Sequence, residues 1–279
     1  MSTAPEPLAG QVVLVTGATD GLGRALATEL ARGGATVLVH GRDAGRIAAT
    51  IDSIRAGTGS DRLRPYQADF AELAQVRSLA EQVTATERRL DVLVNNAGIG
   101  TTVPGGGTRM ESADGYELRL AVNYLAGYLL TRLLLPLLTS SAPARIVNVS
   151  SLGQQAIDFG DPMLTSGYSG ERAYCQSKLA QILFTIDLAG YLDGTGVTVN
   201  ALHPATYMPT KIVASPWSTI EEGVEATLCL VADPGLATVT GRFFNGQREA
   251  QADPQAYDPQ ARQRLRDLSG KLTGLPPLS

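Results

Sequence analysis

Tyr174 stands four residues ahead of Lys178 in the stretch AYCQSKLAQILF, in a chain whose 23 basic residues include only three lysines, Lys178, Lys211 and Lys271. With nine tyrosines in 279 residues, chance places a tyrosine four before a lysine about 0.1 times, nine times three divided by 279. Residues four apart on a helix share a face, so the phenol and the ammonium project to the same side. A free phenol has a pKa of about 10, too high for efficient proton transfer near neutrality, and an adjacent cation favours the phenolate. Lowering it by about 3 units takes about 4 kcal/mol, at 1.36 kcal/mol per unit. Lysine suits that task as a compact cation with three rotatable donors. The pair has the make-up of a general acid–base. The spacing alone also fits a packed tyrosine and a snorkelling lysine on an amphipathic helix.

Ser150 and Ser151 close the run ARIVNVSS, with Ser151 23 residues before Tyr174. Side chains alternate along a strand, so only one of the two serines should face a site. A hydroxyl there would donate to a carbonyl oxygen as it gains charge. A second feature, TGATDGLG, follows the first apolar run directly and opens a helical pattern. Gly17, Gly21 and Gly23 permit a tight turn and let backbone N–H groups approach a pyrophosphate at a positive helix end, with Thr19, Asp20 and Leu22 completing the turn. A structural turn is the plainer alternative. The next strand ends VLVHGRD, with Gly41 at its tip and Arg42 after it. A carboxylate at that tip holds the ribose 2′-hydroxyl of NAD, whereas a guanidinium suits a 2′-phosphate. Arg42 therefore makes NADP the favoured dinucleotide, with NAD the alternative. Arg42 also fits a surface residue at a helix start, with Asp43 as its N-cap.

These residues need a frame. Strands are expected at 11–16, 35–40, 63–68, 91–95, 144–150, 196–203 and 241–245, and helices near 22–33, 43–56, 72–88, 112–139, 170–192 and 218–232. Alternating β and α implies a doubly wound parallel sheet of about seven strands with helices on both faces, an α/β Rossmann-type arrangement. One domain over 10–279 is expected, after a tail at 1–9, with the segment from Asp253 forming one closing amphipathic helix. Net charge of −4 without a basic stripe argues against nucleic acid. His40 and His203 are the only histidines, and Cys175 and Cys229 are far apart, which argues against a metal site or a C-x-x-C redox motif. No signal peptide is readable, and the apolar run Tyr124 to Leu138 is interrupted by Arg132 and Pro136 and shorter than the about 20 residues of a membrane span. A cytoplasmic location is the expectation.

Taken together, TGATDGLG, NNAG at 95–98, Asn123 in AVNY, IVNVSS ending at Ser151 and YCQSK at 174–178 resemble the short-chain dehydrogenase/reductase family from about Gln11 to Asn245. SSLG, AYCQSKLAQILF and GVTVNALHP are similar to its retinol dehydrogenase-like branch. The resemblance implies Ser151 as the oxyanion donor, Tyr174 as the general acid in reduction and Lys178 as both its tuning cation and a partner of the nicotinamide ribose. It implies that the Asn123 carbonyl holds a relay water, that Asn95 is structural, that Asn96 approaches the adenosine ribose and that Asp69 contacts adenine. It further places Phe70, Ala97, Gly98, Pro204 and Thr206 at the cofactor, with hydride delivered from the pro-S face. Two features depart from the pattern. HPATYMPTK has Ala205 for the usual glycine and Thr210 six residues after Pro204, so Thr206 and Thr210 compete for the nicotinamide amide. The interval from Ser151 to Tyr174 is long, so 158–171 and 206–217 are expected to wall and cover the substrate, with Tyr168, Tyr207, Met208 and Trp217 as apolar lining. The implied partners are a lipophilic carbonyl or alcohol and a second chain, in a homodimer or homotetramer joined through helices 112–139 and 170–192. The alternative to an enzyme is a non-catalytic NADP-binding regulator of the same fold. An epimerase-like extended branch is opposed by the glycine spacing and the chain length.

Overall fold

A computed structural model describes residues 7–101, 107–206, 208, 217–276 and 278. The β-branched runs form β1 (Val12–Val15), β2 (Thr36–Gly41), β3 (Leu63–Gln67), β4 (Val92–Asn95), β5 (Ala144–Val149), β6 (Val197–His203), β7 (Phe243–Asn245) and β8 (Arg248–Glu249). Between and after them lie α1 (Gly21–Arg32), α2 (Ala44–Thr58), α3 (Leu73–Thr86), α4 (Ala126–Ser140), α5 (Gly170–Tyr191), α6 (Ile220–Ala232) and α7 (Pro259–Thr273). The sheet order is β3-β2-β1-β4-β5-β6-β7-β8. All neighbours are parallel except β7 and β8. The winding reverses between β1 and β4, which opens a crevice beyond the carboxyl ends of those strands. Pro65, which cannot donate to a ladder, sits on the edge strand β3.

Each sheet face carries its own core. Leu26 and Leu30 of α1, Ile47 and Ile54 of α2 and Leu230 of α6 are buried on one face. Val76 and Leu79 of α3, Leu129 and Leu134 of α4, Leu183 of α5 and Leu265 of α7 are buried on the other. Truncating one such leucine to alanine costs about 2–5 kcal/mol, so the crevice is held between two rigid layers.

The structure adds detail to these expectations and departs from some of them. An eighth, antiparallel strand of two residues follows β7. The helix expected over 112–139 starts late, because Ser112 to Gly115 makes a turn with Gly115 at φ +80°. The helical run then begins with a π-helical segment, Leu120–Leu125, and continues as α4. At 21 residues, Leu120–Ser140 is long and apolar enough to cross a membrane by length and composition, contrary to the shorter run read from sequence, but 72% of its apolar window is buried within the chain. The closing helix is split into a 3-10 turn, Pro254–Tyr257, and α7, because Asp258 caps Gln260 (2.8 Å) and Pro259 starts a new helix. The tail is docked at its end: Leu8 is buried and its N–H donates to Gly33 O (2.9 Å), while residues 1–6 lie outside the description.

Association was expected through helices 112–139 and 170–192. Helices α4 and α5 do bury more than one face, but α7 of the same chain covers the second. Tyr124 Oη meets Ser269 Oγ at 2.7 Å, Arg266 donates to both oxygens of Asp187, and Arg132 donates to Pro276 O (2.9 Å). Ala261 and Leu265 join the core of Leu183 and Phe184. Among the described residues, the apolar face expected to meet a second chain is already buried.

Candidate active site

A cleft of about 760 Å³ runs along the carboxyl ends of β1, β2, β4, β5 and β6. At one end lies the glycine turn. Gly17 has φ +66° and Gly21 φ +47°, left-handed values that favour glycine. A Cβ on Gly23 would come within 2.3 Å of Gly17 O and 2.5 Å of Asn96 Nδ2, so α1 meets the turn at a distance only glycine allows. Asn96 Nδ2 donates to Thr16 O (2.8 Å) and Gly17 O (3.3 Å), which holds the turn shut from the β4 side. Thr16 Oγ1 accepts from the N–H groups of Asn96 and Ala97. Asp20 caps α1 by accepting from Gly21 N (2.9 Å). Turn, glycines and helix start form a cradle that a Cβ would fill, and they fit the pyrophosphate of a dinucleotide.

His40, not singled out as a site residue from the sequence, underpins that cradle. It is buried on β2, its Nδ1 accepts from Gly17 N (3.2 Å), and its Nε2 lies 3.1 Å from Ala68 O. Accepting at Nδ1 leaves the proton on Nε2, to be given to Ala68. The ring stacks on Phe70 at 4.5 Å. Burial pushes its pKa down to about 4. The signal in the sequence was a polar ring at an inward strand position, which needs a partner.

At the adenosine end, the sequence's Arg42 lines the cleft beside Arg46, which sequence reasoning missed although it lies four residues on. Arg46 donates to Thr19 O (3.2 Å) and pairs with Asp20 (3.1 Å). A Cβ on Gly41 would meet Thr19 Cγ2 at 2.6 Å, so a side chain at this strand tip would require Thr19 to shift. Asp69, Phe70, Asn96, Ala97, Gly98, Thr19, Leu22, Pro204 and Thr206 all line the same cleft. Asp69 Oδ1 accepts from Ala71 N (2.9 Å), shaping its own turn. Thr206 Oγ1 lies 3.0 Å from Nε2 of the buried His203, whose pKa is pushed down to about 4 by burial and then by the charge of Lys178. Tyr207 and Thr210 lie outside the described residues.

At the other end the acid–base residues converge. Ser150 Oγ donates to Lys178 O (2.7 Å) and so faces α5 rather than the substrate side. Ser151 Oγ accepts from Gly153 N (3.0 Å). A Cβ placed on Gly153 would lie 3.4 Å from Ser151 Oγ, 3.6 Å from Tyr174 Cε1 and 3.5 Å from Cys175 Sγ, so serine and tyrosine border one point in space. Lys178 Nζ sits 5.8 Å from the Tyr174 ring centre and donates to Val149 O (2.9 Å) and Gln181 Oε1 (3.1 Å). Burial lowers its pKa to about 8, which still leaves it an ammonium at neutrality. Asn123 lies in the π-helical segment, a form that recurs at functional sites. Its amide is fully used: Oδ1 accepts from Ile99 N (2.8 Å), and Nδ2 donates to Ile99 O (3.1 Å) and Ser177 Oγ (2.9 Å). Gly98 lets these groups meet, since its Cβ would stand 3.2 Å from Asn123 Oδ1 and 3.6 Å from Lys178 Nζ.

The substrate side differs from expectation. Of the segment 158–171 only Glu171 lines the cleft, and Tyr168 turns away to Arg119 (2.5 Å) and Glu117 (3.3 Å). Trp217 is 77% exposed, so it is no pocket wall. Met208 does line the cleft, as do Ile99, Leu118, Val122 and Leu152, which the sequence did not single out. Among the described residues no cluster of His, Cys, Asp or Glu has the make-up of a metal site.

Dinucleotide cradle, paired Tyr174 and Lys178, and Ser151 in one crevice have the make-up of the site of an NAD(P)-dependent oxidoreductase. The short chain dehydrogenase family model matches residues 11–220, and the chain belongs to that family. It is similar to human Retinol dehydrogenase 13, with 37% identity over 95% of this chain and 85% of the relative. Among solved structures it resembles an uncharacterized protein from Mycobacterium Paratuberculosis (TM-score 0.74, 31% identity, 96% of this chain and 94% of that one). It also resembles the Pseudomonas aeruginosa RhlG/NADP active-site complex (TM-score 0.70, 28% identity, 87% and 97%).

Proposed function

We propose that the chain reduces a lipophilic aldehyde or ketone to an alcohol with NADPH. The observation that carries this reading is the meeting of Ser151, Tyr174 and Lys178 at one end of a cleft whose other end holds Arg42 and Arg46 and has a glycine, Gly41, in place of a carboxylate. When bound, the dinucleotide supplies the hydride. Ser151 donates a hydrogen bond to the substrate oxygen as charge builds on it. Tyr174 gives that oxygen its proton, and the buried ammonium of Lys178 stabilises the phenolate left behind. Lys178 is aimed by Val149 O and Gln181, and Asn123 fixes the Ile99 segment against α5 through Ser177. The apolar groups Ile99, Leu118, Val122, Leu152 and Met208 favour a substrate without charge near the carbonyl. The retinoid named for its relatives is one such molecule.

Turnover of NADPH and of NADH against lipophilic aldehydes and ketones, with Tyr174→Phe alongside, tests this. The expected result is NADPH-linked reduction that falls by about 10³-fold in the variant, as loss of a general acid does. Turnover that survives loss of the hydroxyl refutes the assignment of Tyr174. Tight NADPH binding without turnover across the panel favours the regulator reading.

A further inference from the structure

Arg42 and Arg46 are not equivalent. Among the described residues no carboxylate pairs with Arg42, whereas Arg46 is engaged by Asp20 Oδ2 at 3.1 Å and by Thr19 O at 3.2 Å. Asp20 belongs to the glycine turn itself and lines the cleft with both arginines. A carboxylate in a turn that fits phosphate is electrostatically out of place. Capping α1 does not require its charge, because asparagine caps a helix as well as aspartate does. Both partners of the pair are about half exposed, at 45% for Arg46 and 49% for Asp20, so the bond is weak and a phosphate dianion can displace it.

We propose that Asp20 is a specificity-determining residue: its carboxylate competes with the 2′-phosphate of NADPH for Arg46 and so limits the discrimination between NADPH and NADH. The proposal rests on the NADPH reading above. When the phosphate arrives, Arg46 exchanges one anion for another while Arg42 gains a new one. Asp20 then stays as a second negative charge in the same corner. NADH, with a hydroxyl there, leaves the Asp20–Arg46 pair closed. The wild-type chain thus tolerates both cofactors more evenly than two arginines alone would dictate.

The test is the dissociation constants of NADPH and NADH, measured by fluorescence or calorimetric titration, for the wild type, Asp20→Asn, Arg46→Gln and the double variant. Asparagine keeps the oxygen that caps Gly21 and puts an uncharged NH2 group in place of the oxygen that meets Arg46. NADPH is expected to bind about threefold to tenfold more tightly to Asp20→Asn, as fits the release of a half-exposed charge pair. NADH is expected to stay within about twofold, and the gain should vanish in the Arg46→Gln background. Equal tightening of both cofactors would overturn the proposal, because it would place Asp20 against the shared pyrophosphate. Unchanged NADPH binding would overturn it as well, as would weakened NADH binding, which would make Asp20 an acceptor for the ribose hydroxyl. Failure of the underlying reading is separate: it would show as wild-type NADPH affinity that does not fall in Arg42→Gln, whatever Asp20→Asn does.

Discussion

Acidification to pH 5 is expected to destabilise the protein through its two histidines before its carboxylates matter. His40 has a pKa of about 4 in the folded chain, lowered chiefly by burial, against 6.5 when unfolded. As pH falls through 6.5 the unfolded chain takes up a proton that the folded chain refuses. Stability is therefore full above about pH 6.5 and is lost towards pH 4. At pH 5 the loss from His40 is about 2 kcal/mol, and it approaches about 3 kcal/mol below pH 4. His203, also at about 4 through burial and the charge of Lys178, adds in the same direction. Function follows stability here. A protonated His40 has no lone pair for Gly17 N, so the acid state releases the first glycine of the cradle.

The assay is urea unfolding at pH 7.5 and pH 5.0, with His40→Asn beside the wild type. Asparagine can still accept from Gly17 N but cannot titrate. The variant should start less stable, having lost the bond to Ala68 O and the stack on Phe70, yet lose about 2 kcal/mol less than the wild type between the two pH values. A pH-dependent loss as large in the variant as in the wild type would refute the buried neutral state of His40.

Three further outcomes are expected. Gly23→Ala, whose Cβ would meet backbone at 2.3 Å, should weaken NADPH binding by about 100-fold or more, whereas Gly57→Ala in open space on α2 should leave binding alone and stabilise by up to about 1 kcal/mol; titration and thermal melts of both decide. Lys178→Arg keeps the charge but not the fit between Val149 O and Gln181 Oε1, so the turnover number should fall about 100-fold or more in steady-state kinetics. Light scattering at micromolar concentration should give the mass of one chain, because α7 covers α4 and α5; a stable dimer would refute that inference.

The fold and the catalytic end of the site were legible because they rest on local signals. Strand runs, a glycine turn between strand and helix, and a Tyr–Lys pair one helical turn apart each carry their geometry in the spacing of a few residues. Ser151 over Ser150 needed only the alternation of a strand and a family pattern, and Ser150 does bond α5. What stayed hidden depends on pairings far apart in the chain. Arg46 joins the cofactor end by reaching back 26 residues to Asp20, and His40 does so through Gly17 and Ala68. The burial of α4 and α5 was legible from their apolar faces. Its agent, a polar-looking helix that starts 81 residues after Lys178, was not, since α7 contributes only a narrow stripe at Ala261, Leu265 and Ser269.

The long interval between Ser151 and Tyr174 poses a physical question, because a loose loop there would blur the geometry of both. Loop length itself costs little: each doubling adds only about 0.6 kcal/mol of closure entropy. What matters is whether the ends are fixed, and both are. Near the serine, Gln255 bonds Ile157 N (2.6 Å) and O (3.1 Å), and Gln154 Oε1 accepts from Asp253 N (2.7 Å). Near the tyrosine, Ser169 caps α5, and Arg172 gathers Asp158, Ser166 and Gly167. Between them Tyr168 is held by Glu117 and the fully buried Arg119, which also donates to Gly100 O (3.1 Å). Glu117 in turn accepts from Leu120 N (2.7 Å), at the start of the π-helical segment that carries Asn123. The insertion is thus tied to the same elements that set Asn123, Tyr174 and Lys178. The buried ion pair of Arg119 and Glu117, 3.8 Å apart, is poor evidence of stability, since desolvation offsets its attraction. Its value lies in geometry: a shift of the inserted segment would strand a buried charge, and so the segment and the acid–base pair move together or not at all.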